Sequence, residues 1–298
     1  MQNNETMTLF AFDMNSLFAR VFTRMAPKNV MPKWSGAYLD DGTPVFCLRA
    51  VHNMVFNEIA AMRKLGVENT HIVLVFDHPG KNFRHEIFPQ YKGNRPPKPE
   101  EWLIQEKLMY EMFVALGFNC LRIEGVEADD TLATLAVKLS EAKINVVMFT
   151  GDKDLMSLCN DYVSVYAGKD RKWWRAADVE AKFEVPTSRV IDYLAIDGDV
   201  ADNVPGVAGA GKAAAIEILN TCSLQDVVDD PDLLLKMNFR TRKSVAKWVR
   251  ENREKIELSQ KLVSLKTDVV LGTNLNKMVR TKPDYEAFLN GYMRTTQD

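Results

Sequence analysis

The stretch GVEADDTLATLAVKLSEAKINVVMFTGDKDL, Gly125 to Leu155, opens with Glu127, Asp129 and Asp130 and closes with Asp152 and Asp154 around Lys153. Between the two acidic clusters lies an apolar stripe at helical spacing (Leu132, Leu135, Ala136, Leu139) and then an apolar run of strand length, Ile144 to Phe149. The pattern predicts a helix that begins in acids and a buried strand that ends in them. In an open α/β sheet the crevice lies at the carboxyl ends of the strands. Carboxylates gathered there repel one another, and without a cation some must stay protonated. A divalent metal resolves the conflict. Asp129 and Asp130 also suit a helix N-terminus and its dipole, an alternative that accounts for one cluster but not for both.

The same arrangement recurs outward from this stretch. Met7 to Phe12 reads as a buried strand ending in Asp13, followed by a helix from Asn15 to about Arg24 with Leu17, Phe18, Val21 and Phe22 at helical spacing. A loop rich in Pro, Gly and Trp leads to a second helical stretch, Val45 to Leu65, which Gly66 stops. His71 to Phe76 is another apolar strand and runs into Asp77; the short run Cys120 to Ile123 precedes Glu127. Strands alternating with helices predict a parallel sheet. Each strand delivers a carboxylate to one edge.

Lys81 to Lys98 (KNFRHEIFPQYKGNRPPK) has another character, with Lys81, Arg84, Lys92, Arg95 and Lys98 set against Glu86 and interleaved with Phe83, Phe88 and Tyr91. Cations with aromatics suit the phosphates and base faces of a nucleic-acid strand; the alternative is a solvated loop pinned by its aromatics. Pro96, Pro97 and Pro99 separate this segment from a helix starting near Glu100. Lys169 to Arg175 (KDRKWWR) is a second basic-aromatic patch that reads as a hairpin edge. After Phe183 the composition shifts to a helical stretch from Thr187 to Ile196, GDVADN at Gly198 to Asn203, the glycine-rich Gly206 to Gly211, and a helix from Lys212 to Leu219. Asp229, Asp230 and Pro231 read as a linker, and Lys236 to Lys255 is strongly basic. The division expected is an α/β core over residues 1–184 and a mostly helical subdomain over 185–298.

Composition sets the outer bounds. The 298 residues are 46% hydrophobic and 26% charged, with 38 Lys+Arg against 40 Asp+Glu for a formal charge of -2. That is an ordinary soluble mix, and a nucleic-acid partner has to be argued from local clusters. The 4 cysteines show no metal spacing and read as reduced thiols. MQNNETM lacks a signal-peptide pattern and no apolar run reaches membrane-spanning length, so a cytoplasmic protein is expected.

GVAGAGKA (Gly206 to Ala213) nearly fits a phosphate-binding loop, but Ala213 stands where the magnesium-binding hydroxyl belongs and no apolar strand precedes it. Asp152 to Asp154 with Gly198 to Asp202 resembles the haloacid-dehalogenase phosphatases, in which the first aspartate is a nucleophile. That alternative leaves Asp13, Asp77, Glu127, Asp129 and Asp130 without work. Two magnesium ions about 3.5–4 Å apart, clamping the attacking and leaving oxygens of a phosphodiester, use them all.

The full set of motifs resembles the flap endonuclease family of 5'-nucleases, which includes the 5'-nuclease domain of bacterial DNA polymerase I and stand-alone phage 5'-exonucleases. The blocks that carry the resemblance are Asp13-Met-Asn-Ser-Leu with Arg20, VFD at Asp77, FRxxxxPxYKGNR at Phe83 to Arg95, and GVEADD at Gly125 to Asp130. GDKDL at Gly151 to Leu155, GDVADNVPGVAGAG at Gly198 to Gly211 and KLVSLKTDV at Lys261 to Val269 continue them in family order. The resemblance implies a PIN-like, mainly parallel sheet flanked by helices, with a helix-three-turn-helix in the C-terminal part. It implies one metal around Asp13, Asp77, Glu127, Asp129 and Asp130, and another around Asp152, Asp154, Asp199 and Asp202. Among these, Asp13, Asp77, Asp130 and Asp154 with Lys92 would carry the chemistry, Lys92 facing the scissile phosphate from the base of an arch.

Arg20, Arg84, Arg95, Arg242 and Lys243 would bind DNA phosphates, and Tyr91 would stack on a terminal base. Gly206, Gly209 and Gly211, with a bound potassium ion, would grip the duplex. Met14 departs from the family's glycine, and Lys212 follows Gly211 one residue early, which bears on its phosphate contact. The resemblance further implies a monomer with two Mg2+ ions (Mn2+ as substitute), DNA with a single-stranded 5' arm or flap, no membrane, and a bacterial cell or phage-infected host. No polymerase-like stretch follows, so the stand-alone form is expected. A non-catalytic DNA-binding relative is the further alternative, and it should have lost acids.

Overall fold

In the computed structural model, which describes residues 7–25, 38–67, 71–284 and 286, the predicted apolar runs form a 6-stranded sheet in the order β3-β2-β1-β4-β5-β6. The strands are β1 (Thr8–Asp13), β2 (His71–Phe76), β3 (Asn119–Arg122), β4 (Asn145–Phe149), β5 (Val163–Ala167) and β6 (Lys172–Trp174). All neighbours are parallel except β5 and β6, whose antiparallel pairing makes KDRKWWR the expected hairpin edge. The Pro-, Gly- and Trp-rich loop after the first helix lies mostly outside the described residues, as do the N-terminal and C-terminal ends.

Alternation along β1 shows why the sheet is covered on both sides. Phe10 and Phe12 join one apolar cluster with helices α1 (Met14–Met25), α2 (Leu48–Lys64) and α4 (Glu100–Ala115). Leu9 and Ala11 join a second cluster with α5 (Ala128–Glu141). That second cluster runs without a break into α6 (Ala176–Phe183), α7 (Val190–Asp197), α8 (Lys212–Thr221), α9 (Leu224–Asp229), α10 (Arg242–Glu251) and α11 (Arg253–Val263). Asp229 to Pro231 is therefore not a linker. Asp229 ends α9, Asp230 caps a 3-10 turn over Pro231–Lys236, and Leu234 of that turn is fully buried.

From β1 the chain builds outward to β2 and β3 on one side and to β4 and β5 on the other. The reversal between β1 and β4 is the switch point at which open α/β sheets form their crevice. Register brings the strand ends level, with Asp13 opposite Val75 and Phe12 opposite Phe149. The basic segment folds as a short helix, α3 (Phe83–Ile87), capped by Asn82 and followed by turns.

Two close backbone approaches shape the C-terminal turn. Gly198 and Gly206 both have positive φ, and a Cβ on Gly206 would stand 2.9 Å from Asp197 O and 3.0 Å from Gly198 Cα. Beyond α11 the chain returns to the sheet's far side. The Ile72 N–H donates to Met278 O (2.7 Å) and the Thr281 N–H to Gly117 O (2.8 Å), while Arg280 lies over Phe56 and Phe118. The four cysteines are free. Among the described residues no helix is long and apolar enough to cross a membrane.

Candidate active site

Strand ends and loops bring the acids to one cavity of about 440 Å³ at the carboxyl edge of the sheet. Asp13 enters from β1, Asp77 from the end of β2, Glu127 and Asp129 from the start of α5, Asp152 and Asp154 from the loop after β4, and Asp202 from the GDVADN loop. Asp13 is held from two sides, accepting from the Ser16 N–H (2.9 Å) and the Thr150 hydroxyl (2.7 Å). Asp77 accepts from the Ala128 N–H at 2.9 Å and its own N–H donates to Asn15 Oδ1 at 2.8 Å. Asn15 in turn donates to Glu106. Thr150 and Asn15 were given no role from the sequence, although both stand beside the acidic motifs.

Crowding and burial suppress ionisation here. Burial, then the charges of Asp77 and Asp152, outweighs the two hydrogen bonds to Asp13 and pushes its pKa up to about 7. Burial and Asp152 push Asp154 up to about 7 as well. Asp129 and Asp77 are also raised, by burial first and by neighbouring carboxylates after it. Burial also works against the Glu127 carboxylate, but Lys92 and Arg84 overcome it and the net shift is downward. The Lys92 ammonium pairs with Glu127 Oε1.

The donor set is all oxygen, hard and under-ionised, which fits Mg2+ or Mn2+. Among the described residues no three acidic, His or Cys side chains converge as a ready-made ligand set. The fit is to ions that keep part of their water, as magnesium does.

Three expected site residues are engaged in buried contacts. Asp130 does not face the cavity: it is fully buried, both oxygens bind Arg84 (2.7 and 2.8 Å), and it also accepts from the Glu127 and Lys266 N–H groups. Arg84 is equally buried, donating to Leu262 O, Ser264 O and Glu127 Oε2 besides Asp130, and it borders the acidic cavity. Tyr91 is buried with its hydroxyl donating to Glu127 Oε2 at 3.1 Å, on the wall of the acidic cavity.

The GDVADN loop grips the basic segment. Lys92, in the left-handed region at φ 56, donates its N–H to Asp202 O (3.0 Å), and Asn203 Nδ2 donates to Gln90 O (3.0 Å). Arg95 forks onto Asp202 Oδ1, and Asn94 donates to Val200 O. Asp199 stands off the main cavity, pairing with Lys153 at 3.5 Å and accepting from the Ala201 N–H.

Other expected contacts are dispersed. Arg20 lines a separate cavity that adjoins the acidic one. Gly209 O accepts from Thr241, and Lys212, at the start of α8, pairs with Glu184 at 2.9 Å on the surface. In the basic stretch Arg250 pairs with Asp232 and Arg253 with Asp229 and Glu257, which leaves Arg240, Arg242 and Lys243, near the start of α10, without an acidic partner among the described residues.

An α/β sheet with a carboxylate-lined crevice at its switch point and a helical C-terminal part is the class these observations define. The family model described as "5'-3' exonuclease, N-terminal resolvase-like domain" matches residues 8–184, and "5'-3' exonuclease, C-terminal SAM fold" matches residues 185–286. The chain belongs to the 5'-3' exonuclease family. It is 34% identical over 253 residues to DNA polymerase I of Pseudomonas aeruginosa, covering 84% of this chain but only 27% of that protein. With the 5'-3' exonuclease of Aquifex aeolicus it shares 30% identity over 278 residues, 93% of this chain and 88% of the relative. The fold is that of the bacteriophage T5 D15 flap endonuclease, solved as a pseudo-enzyme–product complex with DNA and metal ions, at TM-score 0.66 and 23% identity over 87% of this chain and 90% of that one.

Proposed function

We propose that the chain is a structure-specific 5'-nuclease, a 5'-3' exonuclease and flap endonuclease that hydrolyses DNA phosphodiesters with two divalent metal ions. The observation that carries this is the convergence on one cavity of carboxylates from separate strands and loops, with ionisation suppressed and Lys92 and Arg95 on the same wall. Asp13, Asp77, Asp129, Asp152 and Asp154 would hold the ions, with Glu127 and Asp202 contributing through water while paired to Lys92 and Arg95. Mg2+ ions held there supply a clamp for the phosphodiester oxygens and an activated water.

The chain's own residues then divide the work. Lys92 offers a point charge to the phosphate where negative charge develops, once its ammonium leaves Glu127. Arg95 and Lys98 hold the strand at the cavity mouth. We assign residues 1–184 to the nuclease core and 185–298 to duplex binding, through Gly206, Gly209, Gly211 with a K+ ion, Lys212, Arg242 and Lys243. The protein acts as a cytoplasmic monomer on DNA with a single-stranded 5' arm. A 5'-labelled flap DNA and a small phosphomonoester, each with and without Mg2+, test the reading. Metal-dependent cleavage of the flap is expected; turnover of the monoester alone supports the phosphatase alternative, and binding without cleavage supports a non-catalytic relative.

A further inference from the structure

Beside the acidic cavity, and sharing Ser16 and Asp152 with it, lies a second cavity of about 350 Å³ between α1, α2 and the end of β5. Its apolar walls come from Leu17, Phe149 and Tyr166, the two rings 5.8 Å apart at their centroids. Two charged groups on its wall lack proper partners. Among the described residues Arg20 Nε is buried with no hydrogen-bond acceptor, and its Nη2 hydrogen-bonds only the thioether of Met54, at 2.6 Å. Glu58, half-buried on α2, makes no hydrogen bond and no ion pair among the described residues; burial raises its pKa against the opposing pull of Arg20 and Arg171. Buried polar groups are ordinarily satisfied, so an under-satisfied donor and acceptor facing one cavity call for a ligand.

Gly168 brings the two groups together. A Cβ there would run into Glu58 Oε1 and stand 3.6 Å from Arg20 Nη2, so both heads border the same spot of wall only because position 168 has no side chain. The charges around the cavity balance, Arg20 and Lys169 against Glu58 and Asp152. A phosphate would face two carboxylates. A neutral planar group with acceptors beside donors meets no such repulsion, and its faces suit the leucine and aromatic walls.

We propose that this cavity is a binding site for one unpaired nucleobase, with guanine the best fit. Guanine offers O6 and N7 to the Arg20 guanidinium and its N1–H and N2 amino group to the Glu58 carboxylate. Thymine, cytosine and adenine each satisfy less of the pair. A flipped base is read in this way, by its hydrogen-bonding edge and by stacking on apolar or aromatic side chains. The assignment rests on the nuclease reading for its substrate class, since it places one extrahelical base of the DNA against the cavity that shares Asp152 with the metal site.

The test uses nucleosides, which carry no phosphate to engage the acidic cavity. Deoxyguanosine, deoxyadenosine, deoxycytidine and thymidine are titrated into the 298-residue protein and followed by NMR chemical shifts. Saturable deoxyguanosine binding is expected, about 10–100-fold tighter than the others, a bidentate pair's worth of discrimination. Glu58→Gln should remove most of that preference. Gly168→Ala, which displaces the Glu58 carboxylate, should do the same, with circular dichroism confirming that both variants fold. No saturable binding, equal binding of all four nucleosides, or a preference unchanged in both variants overturns the proposal. Flap cleavage by the same wild-type preparation is read separately. Cleavage without nucleoside binding sinks the base site alone, whereas deoxyguanosine binding by a protein inactive on flaps keeps the site and overturns the nuclease reading.

Discussion

Asp130→Ala should act on stability before it acts on chemistry. In the folded protein Asp130 and Arg84 form a two-pronged ion pair with relative exposures of 0% and 2%. Asp130 also accepts from the Glu127 and Lys266 N–H groups, and Arg84 ties the chain after α11 to the start of α5 through Leu262 O and Ser264 O. Deleting the carboxylate leaves the buried guanidinium with Glu127 Oε2 at 3.2 Å as its remaining acidic partner and orphans two backbone donors. Breaking one partner of such a pair costs about 3–5 kcal/mol. That is a large share of the roughly 5–15 kcal/mol that holds a domain together. At about 2–4 °C per kcal/mol for a domain of this size, the melting temperature should fall by roughly 10 °C. Arg84→Met should cost a similar amount. The double variant Arg84→Met/Asp130→Ala should cost much less than the sum, because the buried guanidinium is then gone with its carboxylate. Thermal unfolding of the four proteins, followed by circular dichroism without metal, supplies the cycle. A wild-type melting temperature for Asp130→Ala, joined to lost Mg2+ affinity, would refute the reasoning and return Asp130 to the metal site.

Other outcomes follow from the same geometry. Asp13 and Asp154 have folded pKa values of about 7, raised from 3.8, so the folded state holds their protons more tightly than the unfolded chain. That contribution is fully present below about pH 4 and is lost as pH rises through 7. The metal-free protein should therefore melt lower at pH 8 than at pH 5.5, Mg2+ should raise the melting temperature most at pH 8, and Asp154→Asn should flatten the slope; an unaltered slope in that variant contradicts the assignment. Lys92→Ala should lower single-turnover flap cleavage by about 10²–10³ with binding in Ca2+ little changed. Asn203→Ala, which releases Gln90 O and loosens the left-handed Lys92, should lower the same rate by about tenfold or more; a normal rate would show that the latch does not position the lysine. Arg242→Ala/Lys243→Ala should weaken duplex binding and reduce its salt slope by about one unit per lost phosphate contact, and an unchanged slope would make the start of α10 a solvated face.

What the sequence made legible was whatever depends on neighbours in the chain. Apolar runs of strand length placed β1, β2, β3 and β4 to within a residue or two, and the acid following each run marked the edge where the cavity forms. Pairings between distant segments were out of reach. The 236–255 stretch reads as strongly basic because Asp229 and Asp232, partners of Arg253 and Arg250, come back to it only when the 3-10 turn packs on α10 and α11. The acidic partners of Arg84 are hidden in the sequence for the same reason, Glu127 lying 43 and Asp130 46 residues away.

Asp129 and Asp130 mark the boundary between the two kinds of information. Both were assigned to one metal, yet successive residues of an α-helix point about 100° apart. One helix start therefore aims two adjacent carboxylates in different directions. Asp129 lines the cavity, and Asp130 turns toward Arg84 and the chain beyond α11. Helical periodicity alone implies that one of them turns from the crevice. Which one, and what it would meet, was decided by the Leu262 to Lys266 segment, whose carbonyls and N–H complete the Arg84–Asp130 network from the far end of the chain. The acidic motif therefore has two functions within two residues: Asp129 supplies charge to the cavity, and Asp130 fastens the C-terminal helices to the element that carries it.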